Sequence, residues 1–140
     1  MINATSGEEL LALGEIVDVR FSEFSAALRE EEREDLESDD VEQSLNVMVG
    51  IGESRIEVRL EIKLETRTAT YSGTAATQFK FDDELEVTEE IAREFAERAG
   101  IMAIYPYLRE LIQSSSLRLR ESVTLPLLRV GQRPLEDLVD

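Results

Sequence analysis

Residues 56–65, IEVRLEIKLE, alternate apolar and charged side chains without interruption. The apolar positions are Ile56, Val58, Leu60, Ile62 and Leu64, and the charged positions are Glu57, Arg59, Glu61, Lys63 and Glu65. Because successive side chains of a β-strand point to opposite faces, this period places one face in a core and the other in water. A sheet with one wet face is typically antiparallel. The alternation therefore predicts an antiparallel sheet that is covered on one face.

Two further segments predict strands of this sheet before residue 56. Residues 44–54, SLNVMVGIGES, alternate through Leu45, Val47, Val49 and Ile51, and GES predicts a turn into the next strand. Residues 14–26, GEIVDVRFSEFSA, are rich in β-branched and aromatic residues, with Val17, Val19 and Phe21 predicted on one face. Between them, residues 30–42 carry a dense run of carboxylates, which predicts a solvated loop or a short surface helix.

The fourth predicted strand, residues 69–85, has small residues in the middle of one face and aromatic residues at its ends. That face contains Tyr71, Gly73, Ala75, Thr77, Phe79 and Phe81. Glycine and alanine inside a strand leave a shallow trough where another backbone can approach. A bulge or a covering helix explains the same pattern equally well.

Two helices are predicted after the strands. Thr88 is a typical N-cap, Ile91, Phe95 and Ala99 form an apolar stripe, and Gly100 predicts the end of the first helix. The stripe of the second helix contains Ile101, Ile104, Tyr105, Leu108, Leu111, Ile112 and Ser115. Pro106 is predicted in the opening turn of this helix, where backbone amides lack an intrahelical acceptor. The serines at 114–116 suit either close helix packing or a solvent-facing stretch.

These elements predict one α+β domain over residues 1–140. It comprises an N-terminal segment (1–13), a four-stranded antiparallel sheet (14–82), C-terminal helices packed on one face of the sheet (88–121), and an extended segment with a short tail (122–140).

The composition argues for a binding protein and against an enzyme. The chain has no histidine and no cysteine, which removes the usual general base and the thiol nucleophile, and no cofactor or metal motif is present. The net charge of −16 disfavours nucleic-acid partners. Neither a long apolar run nor a signal peptide occurs, so we expect no membrane insertion and a cytoplasmic location.

Several segments resemble the SecB family of export chaperones. In IYPYLRELI (104–112), Tyr105, Pro106, Tyr107, Arg109 and Glu110 resemble the family's helix start, an aromatic residue followed by Pro-Tyr-x-Arg-Glu. VTLPLLRVGQ (123–132) resembles the family's segment before its last helix, and residues 56–73 follow its long central hairpin. The resemblance covers residues 14–138.

The sequence departs from the family pattern at three places, one of which is the tail RPLEDLVD (133–140), shorter than the family's last helix. Glu-Ser-Val at 121–123 stands where the family usually turns with Arg-Gly and an aromatic-Pro pair. Thr70 and Ser72 align near positions whose acidic residues receive the SecA motor in the export chaperones. The chain looks more like divergent SecB-like proteins, some of which accompany stress-linked toxin–antitoxin systems.

The resemblance implies an ATP-independent holdase that binds unfolded or nascent polypeptide, either a preprotein or an antitoxin, in an apolar groove. We expect the client-binding residues to include Phe21, Phe24, Tyr71, Phe79, Phe81 and Tyr105. The resemblance also implies a homotetramer, a dimer of dimers, with oligomer or helix contacts at Tyr107, Arg109, Leu111 and Ser115. Two alternatives remain: a helix-grip-type domain that binds a small molecule or lipid, and a non-catalytic adaptor subunit.

Overall fold

The computed structural model describes residues 1–121 and residue 123. In this part of the chain, four antiparallel strands form one sheet: β1 (Glu15–Leu28), β2 (Glu42–Ile51), β3 (Arg55–Glu65) and β4 (Ala69–Lys80), in the order β1-β4-β3-β2. Helix α1 (Gly7–Leu13) precedes the sheet, and α2 (Glu89–Phe95), a π-helical turn (Ala96–Gly100) and α3 (Ile101–Arg118) follow it. The predicted extended segment and tail lie outside the described residues, apart from Glu121 and Val123, which are described.

The predicted fold class is confirmed: an antiparallel sheet carries the helices on one face. All five apolar residues of the β3 alternation are buried, and the charged residues between them are exposed or half-buried. We call the helix-covered side the inner face and the opposite side the outer face. The cost of exposing five aliphatic side chains, about 1.5–3 kcal/mol each, fixes which side of the sheet the helices cover.

Strand β1 contains two register irregularities against β4, one between Ile16 and Asp18 and one between Phe21 and Glu23. The predicted shared face of Val17, Val19 and Phe21 is therefore wrong for Val17, which is the unpaired residue of the first bulge. The second bulge, at Ser22, shifts the alternation by one residue. As a result Phe24 pairs with Gly73 and lies on the inner face together with Phe21.

The trough predicted around Gly73 is filled by the chain itself. A Cβ atom on Gly73 would lie 3.0 Å from Cδ1 of Phe24 and 3.8 Å from Cγ2 of Ile62. The ring of Phe24 therefore occupies the space that the glycine leaves open, and a second backbone does not need to enter it.

The predicted N-cap at Thr88 is confirmed, because its side chain accepts a hydrogen bond from the Ile91 amide at 3.2 Å. The predicted helix end at Gly100 is wrong: this residue has α-helical angles, φ −64° and ψ −48°, and the helix continues into α3. The glycine serves packing, since an added Cβ would lie 2.2 Å from Cγ1 of Val58 on β3. Its missing side chain lets the helix approach the sheet closely.

Pro106 is not in the opening turn of a helix, as predicted, but inside α3. The π-helical turn joins α2 to α3, so several helical turns precede the proline. Proline has no amide hydrogen and therefore leaves the carbonyl of Met102 without its i→i−4 donor. Pro106 is exposed, and a carbonyl on the solvent side of a helix can bind water instead.

Helix α1 lies within the segment that we predicted only as an N-terminal extension. Its signal in the sequence is Ser6 followed three positions later by Glu9, a capping pattern. The Ser6 side chain accepts a hydrogen bond from the Glu9 amide, and the Glu9 carboxylate accepts bonds from the amide and hydroxyl of Thr5. Leu10 anchors the helix in the core.

None of the helices in the described part of the chain combines the length and the apolar character that crossing a membrane requires.

Candidate functional site

Strand β1 presents a row of apolar side chains that the helices cover only in part. We call the inner-face residues of this strand the β1 strip: Ile16, Val19, Phe21, Phe24, Ala26 and Leu28. Their partners on β4 are all buried, whereas Ile16 and Leu28 are exposed and the other four are half-buried. Apolar side chains aligned on one face and left partly in water are typical of a surface that binds another chain.

The outer edge of β1 is also open. Among the described residues β1 pairs only with β4, so one side of this 14-residue strand has backbone donors and acceptors without a strand partner. A free edge is a template for an added strand unless charges, prolines or bulges block it, and between and beyond its two bulges the edge of β1 is regular over residues 18–21 and 23–28. β1 contains no proline, and its charged residues, such as Asp18 and Arg20, do not belong to the β1 strip. The strip and the free edge can therefore receive an extended polypeptide together.

The six predicted client-binding aromatic residues fall into two groups. Phe21 and Phe24 lie side by side in the β1 strip and are half-buried. The other four are buried in the core: Tyr71, Phe79, Phe81 and Tyr105. Phe79 packs edge-on against Phe95 of α2 with ring centroids 4.8 Å apart, which explains its burial at the helix-covered end of β4.

Tyr71 takes part in a polar cluster that the sequence did not predict. The Glu121 carboxylate accepts hydrogen bonds from Thr66 Oγ1 at 3.1 Å, from Thr68 Oγ1 at 2.7 Å and from the Tyr71 hydroxyl. Burial of the Tyr71 hydroxyl, with further contributions from its bond to Glu121 and from the charge of that carboxylate, raises the pKa of Tyr71. These four residues, the Glu121 cluster, join the end of α3 to the turn between β3 and β4.

The backbone at the end of α3 turns sharply before it reaches this cluster. Arg120 has a φ of 62°, the left-handed region, and no other non-glycine residue in the described ranges has a positive φ. The amide of Val123 donates to Ser116 Oγ at 3.1 Å, so the chain is held on both sides of the turn. The departure from the family pattern at Glu121–Val123 was the signal in the sequence that this region differs.

Tyr105 is buried on α3, and its hydroxyl has no hydrogen-bond partner within residues 1–121 and 123. Burial raises the pKa of Tyr105 to about 12, and the positive charge of Arg109 acts in the opposite direction. A buried hydroxyl without a partner destabilises the fold.

The four predicted contact residues of α3 differ in accessibility. Tyr107 is exposed, Arg109 and Leu111 are half-buried, and Ser115 is buried. Leu117, near the end of α3, is also exposed. A helix with large apolar residues in water at two places has surface available for a second chain.

The acidic run forms an irregular loop, which is one of the two structures predicted for it. Arginine side chains attach this loop to the sheet. Arg33 Nη1 lies 2.7 Å from a carboxylate oxygen of Glu65 and 3.1 Å from one of Glu42. Arg67 Nε lies 3.0 Å from Glu32, and its guanidinium donates to the carbonyl of Leu36. These bonds keep the loop at the Leu28 end of β1, since the Arg29 amide also donates to the Thr68 carbonyl.

The outer face has a different chemistry from the β1 strip. It contains a shallow depression of about 320 Å³ between β2, β3, β4 and β1, and most of the residues that line it have charged or polar side chains. The lining side chains include Ser44, Glu61, Lys63, Ser72 and Thr74. Within the described ranges, no group of three or more acidic side chains is arranged to hold a metal ion.

Comparisons with known proteins place the chain among chaperones. No family model matches it. It is 34% identical over 134 residues to the SecB-like chaperone SmegB of Mycolicibacterium smegmatis, and the match covers 95% of this chain and 88% of SmegB. Its fold is similar to that of the Mycobacterium tuberculosis Rv1957 SecB-like chaperone, solved in complex with a ChAD peptide from the Rv1956 HigA1 antitoxin. The TM-score is 0.73 with 25% identity, over 90% of this chain and 98% of that one.

Both comparisons agree with the resemblance drawn from the Tyr105–Glu110 motif, and they favour the chaperone over the lipid-binding and adaptor alternatives. Identity above 30% over nearly the whole chain, together with the shared sheet-and-helix architecture, establishes the family. The protein is a member of the SecB-like chaperone family.

Proposed function

We propose that this chain is an ATP-independent holdase that binds an extended segment of an unfolded or disordered protein along the β1 strip. The observation that carries the proposal is the partly exposed apolar face of a free edge strand, in a fold whose solved relative holds an antitoxin peptide. An antitoxin is therefore the client class we favour over a preprotein. Absence of catalysis and a cytoplasmic location remain predictions.

The physical basis of binding is strand addition combined with side-chain burial. A client that pairs with the free edge of β1 satisfies its own backbone groups, and its alternate side chains cover the inner-face residues of the strand. Ordering a flexible chain costs entropy, so the contact must extend over many residues. The 14 residues of β1 provide such a length. No bond is made or broken, and no nucleotide is needed.

The predicted aromatic residues take different parts in this proposal. Phe21 and Phe24 contact the client, because they are half-buried within the β1 strip. Of the four buried aromatic residues, Tyr71 and Phe79 lie beside the strip on the same face, paired with Ala26 and Ile16. All four contact the client only if the packing around them opens. Thr70 and Ser72 offer no carboxylate on the outer face, so we do not propose docking to SecA.

The test compares the chain with a variant in which Phe21 and Phe24 are both serine. Aggregation of a chemically denatured protein, followed by light scattering, should be suppressed by the unchanged chain and at least about tenfold less by the variant. The matched control is Met48→Ser, a similarly accessible apolar residue on edge strand β2. Equal suppression by all three proteins, with unchanged melting temperatures, would contradict the proposed site.

We further propose that the chain assembles as a homotetramer, a dimer of dimers. Tyr107 and Leu111 provide accessible surface for a helix contact, Arg109 borders it, and Ser115 lets α3 sit close to its own sheet. Light scattering coupled to gel filtration should give about 63 kDa, four times the 15.8 kDa of the chain. A single peak at the mass of one chain would refute the assembly.

A further inference from the structure

Strand β2 forms the second free edge of the sheet, on the side opposite β1. Among the described residues it pairs only with β3, so one side of its ten residues has backbone donors and acceptors without a strand partner. We call this side the β2 edge. A free edge is a template for another strand, and proteins usually block it with charges, prolines or bulges.

The β2 edge has almost none of these blocks. The strand, EQSLNVMVGI, contains no proline, and Glu42 is its single charged residue. Its pairing with β3 runs from Glu42 to Ile51 without a register shift. Strand β1, by contrast, carries four charged residues and two bulges. In a chain of which 33% of the residues are charged, an open and nearly uncharged edge marks a surface that another strand covers.

The apolar side chains of β2 favour a strand of fixed sequence over a variable client. Met48 is 37% exposed, Ile51 is 41% exposed, and Val41, just before the strand, is 44% exposed. The inner-face residues in the middle of β2, Leu45 and Val47, are buried. An extended client therefore finds little apolar surface beside this backbone, whereas a matched strand can both pair with it and cover the three exposed side chains.

We infer that the β2 edge pairs with the β2 edge of a second copy, antiparallel and across a twofold axis, so that two sheets join into one of eight strands. This pairing rests on the proposed homotetramer, because a dimer of dimers needs a second contact besides that of α3. A twofold contact uses the same residues of both copies, so the β2 edge must be complementary to itself.

One register gives the β2 edge this complementarity. Residues opposite each other must lie on the same face of the joined sheet, which places the axis at a residue and not between two residues. With the axis at Asn46, Ser44 lies opposite Met48 of the second copy, and Val41 lies opposite Ile51 of the second copy. The two Asn46 side chains meet at the axis, where an amide can both donate to and accept from an identical amide.

The charges of the chain also permit this pairing. Each copy has a net charge of −16, so two copies repel each other least where few carboxylates meet. Glu42 lies opposite Gly50 of the second copy, and nothing within 4 Å occupies the position of a Cβ atom on that glycine. The two Glu42 residues are then roughly 27 Å apart at about 3.4 Å per residue, well beyond the Debye length of about 8 Å.

A charge-swap experiment at Asn46, which is exposed, tests the contact. Asn46→Lys and Asn46→Glu each place two like charges directly opposite each other, which destabilises a strand pair. In gel filtration with light scattering, each variant alone should fall from about 63 kDa to about 32 kDa, twice the 15.8 kDa of the chain. An equimolar mixture should return to about 63 kDa, because lysine then faces glutamate. Asn46→Thr and Met48→Ser, which add no charge, should keep the mass of the unchanged chain.

A cysteine at the axis tests the register. The chain has no cysteine, so an introduced thiol can pair only with its copy. Asn46→Cys should form a disulfide-linked dimer under mild oxidation, because residues opposite each other have Cβ atoms about 4.5–5.5 Å apart. Glu61→Cys is the matched control, since Glu61 is exposed and pairs with Asn46 from β3. Its copy lies three strand spacings away, roughly 14 Å, and it should crosslink at least about tenfold more slowly.

Four results would overturn this pairing. A mass near 63 kDa for both charged variants removes the β2 contact while the proposed tetramer stands. Weaker suppression of aggregation by these variants at an unchanged mass assigns the β2 edge to the client. Failure of the mixture to regain mass, or equal crosslinking of Asn46→Cys and Glu61→Cys, contradicts the register. If the unchanged chain has the mass of one chain, the proposed assembly fails first and the β2 pairing fails with it.

Discussion

Arg120 adopts a backbone conformation that glycine adopts at little cost. Its φ of 62° follows the last turn of α3, where helices often end with a left-handed glycine. An L-residue with a Cβ atom loses about 1–2 kcal/mol in this region. We expect Arg120→Gly to raise the free energy of unfolding by about 1 kcal/mol, measured by urea denaturation.

The control for this prediction is Arg118→Gly two residues earlier. Arg118 is exposed and is the last residue of α3. Because Arg118 lies within the helix, glycine there relieves no backbone strain and should lower the free energy of unfolding, by up to about 1 kcal/mol. Destabilisation by both substitutions to a similar degree would show that the left-handed conformation of Arg120 is not a source of strain.

Tyr105 allows a prediction about alkaline pH. Burial raises its pKa from 10.0 to about 12, so the folded state holds the phenolic proton more tightly than the unfolded state. The stability that follows is present in full below pH 10 and is lost as the pH rises from 10 to 12. Tyr105→Phe should reduce this loss, and at pH 7 it should leave stability equal or about 1 kcal/mol higher, because the hydroxyl has no partner in the described ranges.

Urea denaturation at pH 7, 10 and 11 measures this effect. Some loss at high pH remains in the Tyr105→Phe variant, since the pKa of Tyr71 is raised as well. Tyr107→Phe, at an exposed position two residues further along the same helix, is the matched control. A Tyr105→Phe variant that is strongly destabilised at pH 7 would mean that the hydroxyl has a partner in the assembled protein.

At the scale of elements, Gly100 decides how closely the helix approaches the sheet. Alanine is a better helix former by about 1 kcal/mol, yet its Cβ would lie 2.2 Å from Cγ1 and 2.7 Å from Cβ of Val58. Overpacking of this kind costs about 1–3 kcal/mol, so we expect Gly100→Ala to lower the free energy of unfolding.

Gly50→Ala provides the comparison for Gly100→Ala. Gly50 lies on β2, and nothing approaches an added Cβ within 4 Å. Alanine there should be neutral or slightly stabilising, because it reduces the freedom of the unfolded chain. Equal thermal stability of Gly100→Ala and Gly50→Ala would contradict this prediction. It would mean that the helix moves away from Val58 without a loss of stability.

Helix and strand patterns could be predicted wherever a regular period persists. The alternation from Ile56 to Leu64 identified the central strand, and the stripe beginning at Ile101 identified the buried face of α3. Periodicity failed at Ser22, because a bulge changes the face of every later residue and leaves no mark in the composition. It also failed at Gly100, because this glycine is needed for close packing on Val58, a residue distant in sequence.

The candidate site could be predicted only in part for the same reason. Phe21 and Phe24 were identified as aromatic residues on a strand, but their common face depends on the bulge. Glu121 could not be predicted as a member of a cluster, because its partners Thr66, Thr68 and Tyr71 lie more than 45 positions away. A carboxylate among many acidic residues carries no signal of its own.

At the scale of the whole molecule, the two faces of the sheet differ in chemistry. The inner face is covered by α2 and the π-helical turn over β2 and β3 and by α3 over β4, and its apolar surface continues, partly exposed, along β1. The outer face carries charged and hydroxyl side chains around a shallow depression. A client with apolar side chains therefore gains more by binding at β1 than anywhere on the outer face.

Hydrogen–deuterium exchange of the chain, with and without an excess of a permanently unfolded client, tests this account most directly. The account predicts that client binding slows amide exchange within Glu15–Leu28, at the free edge of β1, and leaves Glu42–Ile51 of β2 unchanged. Protection confined to β2 or to the residues around the outer-face depression, with β1 unaffected, would contradict it.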